Sequence, residues 1–138
     1  MTIEEKQQEI IEDFSYLEDW MDKYELIIEM GKELPSMNDA DKTDQNLIKG
    51  CQSKVWIKPA FENGIITFSA DSDALITKGL VSLVLKVLSG HTPEEIIKAD
   101  LHFVNDIGLS SHLSPTRSNG LLSMLKQIKN YAVAYNTL

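Results

Sequence analysis

Few residues in this chain could do chemistry, and they are widely spaced. Among 138 residues there is one cysteine, Cys51, and three histidines, His91, His102 and His112. A structural zinc site needs about four Cys/His ligands, usually in closely spaced pairs. These four are scattered without paired spacing, so ordinary histidines are expected rather than a metal centre. Asp39, Asp41 and Asp44 in "SMNDADKTDQN" open like a calcium loop. The pattern fails where it matters: Asp44 stands where the turn needs glycine, and Gly50 stands where a bidentate glutamate belongs. A solvated loop is expected there.

The thiol remains. Cys51 with His112 could form a thiolate–imidazolium pair for nucleophilic catalysis, but no protease-like nucleophile signature surrounds either residue. Taken alone, Cys51 follows Gly50, which allows a sharp turn or a close approach, and precedes the polar Gln52 and Ser53. Two readings stay open at this point: a small apolar filler, or a thiol that is presented. "LSPTRSNGL" favours the second. Arg117 falls in the first turn of an expected helix, where a cation opposes the helix dipole at a cost of about 0.3–1 kcal/mol. A functional reason for that choice is an anion site, with Arg117 and free backbone N–H groups facing a thiolate, a persulfide or a partner carboxylate. Asp73 stands at a helix start, where it makes a good N-cap.

The elements that must position these residues are mostly helices. Thr2/Glu5 and Ser15/Glu18 have capping-box spacing, and Ile3, Ile10, Phe14, Leu17, Met21, Tyr24 and Ile28 form a helical stripe. Two helices are expected, with a break near Ser15 and an end near Leu34, before Pro35. Asn63-Gly64 between "SKVWIKPAF" and "IITFSA" predicts a hairpin. A two-residue turn pairs Phe61 with Ile66, Pro59 with Phe68 and Ile57 with Ala70. Val55, Ile57, Phe61, Ile66 and Phe68 then share one face. Pro59 predicts an edge position or a bulge. The same register sets Lys54 opposite Asp73 and leaves Cys51 just past the strand. "ALITKGLVSLVLKVLSG" is apolar nearly all round, predicting a buried helix that ends at Gly90. Thr92, Pro93 and Glu95 start a short helix, "LHFVNDIGLSSHL" reads as short turns, and Ser114-Pro115 start the last helix. Its stripe includes Leu121, Leu125, Ile128 and Tyr135. The expected class is α+β, with helices on a small antiparallel sheet, in one domain over 1–138.

Composition sets limits on partners. The net charge is −8, with no basic stripe to neutralise phosphates, so nucleic acid is not an expected partner. The acidic surface serves solubility or favours a basic partner. No apolar run reaches membrane-span length. The acidic, amphipathic start "MTIEEKQQEIIEDF" is unlike a signal or transit peptide, so a reducing cytoplasm is expected.

In "KGCQSKVW", "ADSDALITKGL", "SGHTPEEI" and "HLSPTRSNGL", in that order, the chain resembles the SufE family of sulfur-acceptor proteins. The resemblance implies the α+β fold shared with IscU-type scaffolds. It implies that sulfane sulfur passes from a SufS-like, pyridoxal-phosphate cysteine desulfurase onto Cys51, that the desulfurase is stimulated, and that the sulfur moves on to an iron–sulfur scaffold such as SufB. Asp73 and Arg117 match positions near that cysteine and in the partner-facing region, and Gly50, Gln52, Ser53 and His112 are grouped with them as supporting residues. No cofactor of its own is implied, because the pyridoxal phosphate belongs to the desulfurase; the chain is a carrier and activator rather than an enzyme. A single cysteine can relay a sulfur atom, whereas a cluster scaffold needs several thiolates. Two alternatives stand beside this reading: a non-covalent activator of the desulfurase, and a relay to another thiolation pathway. The glycine-led Cys51 loop is expected to be sheltered at rest and to swing out in a partner complex.

Overall fold

The computed structural model describes residues 1–137. Helix α1 (Ile3–Ser15) begins at the Thr2–Glu5 capping box, in which the Glu5 N–H donates to Thr2 Oγ1 at 3.1 Å and the Thr2 N–H to Glu5 Oε1 at 2.9 Å. Helix α2 (Trp20–Lys32) follows a short turn. Its cap is Asp19, which accepts the Met21 N–H, and not Ser15 as the sequence suggests. Ser15 remains inside α1 and donates its hydroxyl back to the Glu12 carbonyl, so it is not available for a second box. A buried polar side chain ties α1 to a distant loop: Gln7 donates to Asp100 O at 3.0 Å and accepts the N–H groups of His102 and Phe103.

Strands β1 (Val55–Glu62) and β2 (Ile65–Ser72) form an antiparallel hairpin with the expected register, Phe61 opposite Ile66 and Ile57 opposite Ala70. Asn63 and Gly64 both have positive φ, 55° and 80°, as a two-residue hairpin turn of this hand requires. Val55, Ile57, Ile66 and Ala70 are buried. Phe61 and Phe68 lie farther out, against Tyr135 and Tyr131. Each edge gains a short partner: Asn46–Ile48 pairs with β1, and Gly90–His91 with Ile66. The Ile57 N–H points outward to Asn46 O at 2.9 Å, so the same outward direction falls on Pro59, whose ring nitrogen has no hydrogen to lose.

Helix α3 (Leu75–Leu88) is buried along most of its length and ends before Gly90, whose φ is +86°. It crosses α2 with the two backbones almost touching. A Cβ on Gly79 would lie 2.2 Å from Ile27 O, and one on Gly31 would lie 2.8 Å from Gly79 N. Ser82 Oγ donates across the same crossing to Met30 O at 2.9 Å. Helix α4 (Pro93–Lys98) starts at the expected Thr92–Glu95 box. "LHFVNDIGLSSHL" forms two four-residue helices rather than turns alone, α5 (Phe103–Asp106) and α6 (Leu109–His112). Helix α7 (Pro115–Asn136) carries Ser114 as its cap. Its later turns lie over the hairpin through Tyr131 and Tyr135, which leaves its first turns beside the segment that joins Ile48 to β1.

Candidate functional site around Cys51

The segment 49–54 is closed at its base by the Ile48 N–H, which donates to Val55 O at 2.8 Å. Cys51 therefore sits at the end of a tight reversal, with Gly50 before it at φ +92°. Few side chains tolerate that backbone. The loop folds back onto α7 instead of projecting into water. The half-buried thiol of Cys51 lies 3.6 Å from Gly120 O and donates its proton there. Burial pushes the Cys51 thiol above its ordinary value. In this conformation burial therefore outweighs any help that Arg117 or the helix N–H groups could give to a thiolate. A carbonyl faces the sulfur, and a carbonyl favours the protonated form.

Beside the sulfur is a cavity of about 80 Å³. The loop contributes Cys51, Gln52 and Ser53, α3 contributes Thr77 and Leu80, and α7 contributes Thr116, Arg117, Gly120 and Met124. Its space is several times the roughly 10–15 Å³ that one water needs. Arg117 is exposed, and among the described residues its guanidinium forms no ion pair. The helix end is less open to anions than the sequence suggests. Pro115 has no N–H, and the Arg117 N–H is taken by Ser114 Oγ at 3.2 Å, which leaves Thr116 as the available first-turn amide.

The remaining sequence candidates divide between the site and its surroundings. Asp73 does not cap α3; Ala74 occupies that position, and its N–H reaches Ser72 Oγ. Asp73 instead accepts the Lys54 N–H at 3.0 Å and donates its own N–H to Lys54 O, extending the hairpin register to the exit of the Cys51 loop. His112 stacks on Trp20 with ring centroids 3.8 Å apart, and its Nδ1 lies 3.2 Å from Gly108 O. It does not line the cavity, so the structure forms no Cys51–His112 pair.

The sequence model of the SufE family, described as an Fe-S metabolism associated domain, matches residues 8–132. A SufE-like protein of Rhizobium meliloti is 43% identical over 129 residues, spanning 90% of this chain and 92% of the relative. One of Rhizobium etli is also 43% identical over 129 residues, spanning 90% and 87%. This chain belongs to the SufE family. The α+β fold agrees with a solved neighbour, a hypothetical protein from Thermus thermophilus determined in solution. It has a TM-score of 0.79 and 19% identity, covering 96% of this chain and 97% of that one.

In this SufE-family chain, two site features escape a residue-by-residue reading. Gly120 lies within "HLSPTRSNGL", yet nothing local marks it; what it admits is Cys51, distant in sequence. Thr77 faces the cavity from a helix that reads as uniformly apolar. Among the described residues no group of three or more His, Cys, Asp or Glu side chains is placed to hold a metal ion. Among the same described residues, no helix is long and apolar enough to cross a membrane.

Proposed function

We propose that this chain is the sulfur acceptor for a pyridoxal-phosphate cysteine desulfurase, and that Cys51 carries the sulfur as a persulfide. The observation that supports it most is the placement of the chain's single cysteine at the tip of a glycine-led loop, against a small cavity that Arg117 borders. The reaction is thiol–disulfide exchange in form. The Cys51 thiolate attacks the outer sulfur of the desulfurase's cysteine persulfide. A new S–S bond forms on Cys51, the donor's S–S bond breaks, and the donor cysteine leaves as a thiolate that takes a proton. No net oxidation occurs. In the second step a thiolate of an iron–sulfur scaffold, of the SufB type, attacks the outer sulfur on Cys51 and releases the Cys51 thiolate.

The resting geometry serves the first step by restraint. A free thiol near pKa 8.5 is ionised to only a few per cent at pH 7, and burial beside Gly120 O reduces that fraction further. Leaving the cavity removes both the burial and the carbonyl. The thiol then becomes nucleophilic where the partner holds its persulfide. The pyridoxal phosphate acts on the partner; on this chain, Thr116 and Arg117 border the cavity beside Cys51, and a cation there would favour the anionic sulfur of a loaded Cys51.

The sheltered, protonated thiol favours one other reading, a non-covalent activator that remodels the desulfurase. Mass spectrometry of the Cys51 peptide separates the two after incubation with a desulfurase and free cysteine, without reductant. An added sulfur atom that requires the desulfurase supports the carrier. Its absence, with the desulfurase bound and stimulated, overturns the carrier, and stimulation by the Cys51→Ser variant then identifies the activator.

A further inference from the structure

Gly120 is an unusual residue for the second turn of a long helix. Glycine there is less favourable than alanine by about 1 kcal/mol, so something must offset the choice. The three atoms that a Cβ at this position would meet first all belong to one residue: Cys51 Sγ at 3.3 Å, then Cys51 Cα and Cβ at 3.8 Å. One turn farther along the same face, Ser123 receives the preceding loop residue. A Cβ on Gly50 would lie 2.6 Å from Ser123 Oγ. Gly120 and Ser123 are spaced i, i+3, so they present one shallow surface to two consecutive loop residues. The Gly120 carbonyl also accepts the thiol proton. Small size and hydrogen bonding thus act at the same point.

We infer that the Gly120–Ser123 face of α7 is the seat that holds the Cys51 loop in its unreactive position, and that Gly120 is the positioning residue that sets how firmly it is held. The inference deepens the acceptor reading, on which its role in sulfur transfer rests. The seat itself is a property of the free chain. A Cβ at 3.3 Å from sulfur is tighter than an ordinary contact, and the loop is the part that can move. Extra bulk on α7 therefore shifts the loop toward its open position without displacing the helix. A glycine present only for helix packing against the core predicts the opposite, because alanine would then stabilise the helix and leave the thiol alone.

The test is the rate at which a small alkylating reagent labels Cys51 in the intact, partner-free protein, with thermal unfolding recorded in parallel. Gly120→Ala is expected to raise the labelling rate about fivefold or more, the population shift of a mild overpacking contact, with the melting temperature unchanged or higher. Ser123→Leu places bulk beneath Gly50 and is expected to raise it as well, which gives a second reading should Gly120→Ala fold poorly. Unchanged labelling in a folded Gly120→Ala protein overturns the inference, as does unchanged labelling in a folded Ser123→Leu protein. Faster labelling together with no persulfide on wild-type Cys51 leaves the seat standing and removes the acceptor reading, so the two failures are distinguishable.

Discussion

Two places in this molecule depend on glycine for close approach, and they differ in what the glycine touches. At the α2–α3 crossing, a side chain on Gly79 would meet the Ile27 carbonyl at 2.2 Å, and Ser82 bonds across the same contact. The nearest atoms there are helix backbone at a buried crossing, which cannot yield unless a whole helix shifts. At the Cys51 loop, a side chain on Gly120 would meet a sulfur atom at 3.3 Å, and one on Gly50 would meet a serine hydroxyl at 2.6 Å. There the neighbours are a loop and the end of a side chain. Close packing of the first kind fixes the fold, while the second kind fixes the position of one loop.

The comparison is broken most directly at the core. Gly79→Ala should lower stability by about 3 kcal/mol or more, read as a shift of the urea midpoint, whereas Gly120→Ala should leave the midpoint nearly unchanged. Equal losses in the two would erase the distinction. Ser82→Ala removes one buried hydrogen bond at the crossing and should lower stability by about 1 kcal/mol; the Cys51 labelling rate in the native state should not change.

Arg117→Glu sharpens the other side. An acidic residue in the first turn of α7 suits the helix dipole, so stability should rise by about 0.3–1 kcal/mol. Sulfur transfer from a desulfurase should nevertheless slow several-fold, because the charge beside the Cys51 cavity is reversed. Faster or unchanged single-turnover transfer would remove Arg117 from the site.

The smallest effect belongs to a surface contact. His102 hydrogen-bonds Asp106 of α5 and both carboxylate oxygens of Glu4 of α1, and these partners raise its pKa above the ordinary 6.5. Folding favours the protonated ring. The contact therefore stabilises the protein fully below about pH 6.5 and loses that contribution as pH rises through the folded value. Unfolding midpoints measured between pH 6 and 9 should fall slightly in the wild type and less in His102→Gln. Added salt should flatten the difference.

Legibility in the sequence followed the range of the determining contact. The hairpin turn and its register come from Asn63-Gly64 and from alternation, both local signals. The Thr2–Glu5 box, the Thr92–Glu95 box and the Ser114 cap are local in the same way. The misreadings share the opposite property. Asp73 carries two local possibilities, a cap for α3 and a partner for Lys54, and the hairpin decides between them. Ser15 has the right spacing for a box, but α1 had already taken its hydroxyl. Gln7 interrupts no apolar stripe that can be seen, yet it is buried because two N–H groups far along the chain need an acceptor. Helices α5 and α6 are too short to show a period. Within the site, Cys51, Gln52, Ser53 and Arg117 were legible by residue type. The contact of Gly120 with the sulfur was not, since it depends on how α7 is laid across the hairpin.

Pro59 carries a further consequence. The outer edge of β1 is paired only as far as Ile57, and an uncovered edge invites a strand from another molecule to add to it. The next outward donor position is Pro59, which has none, and the neighbouring Lys58 is exposed and paired with Asp41. A second copy arriving along this edge finds no hydrogen-bond donor at its first point of docking and a charged side chain next to it. The same proline that costs the sheet nothing internally thus guards the protein against growing into a fibre from its open side.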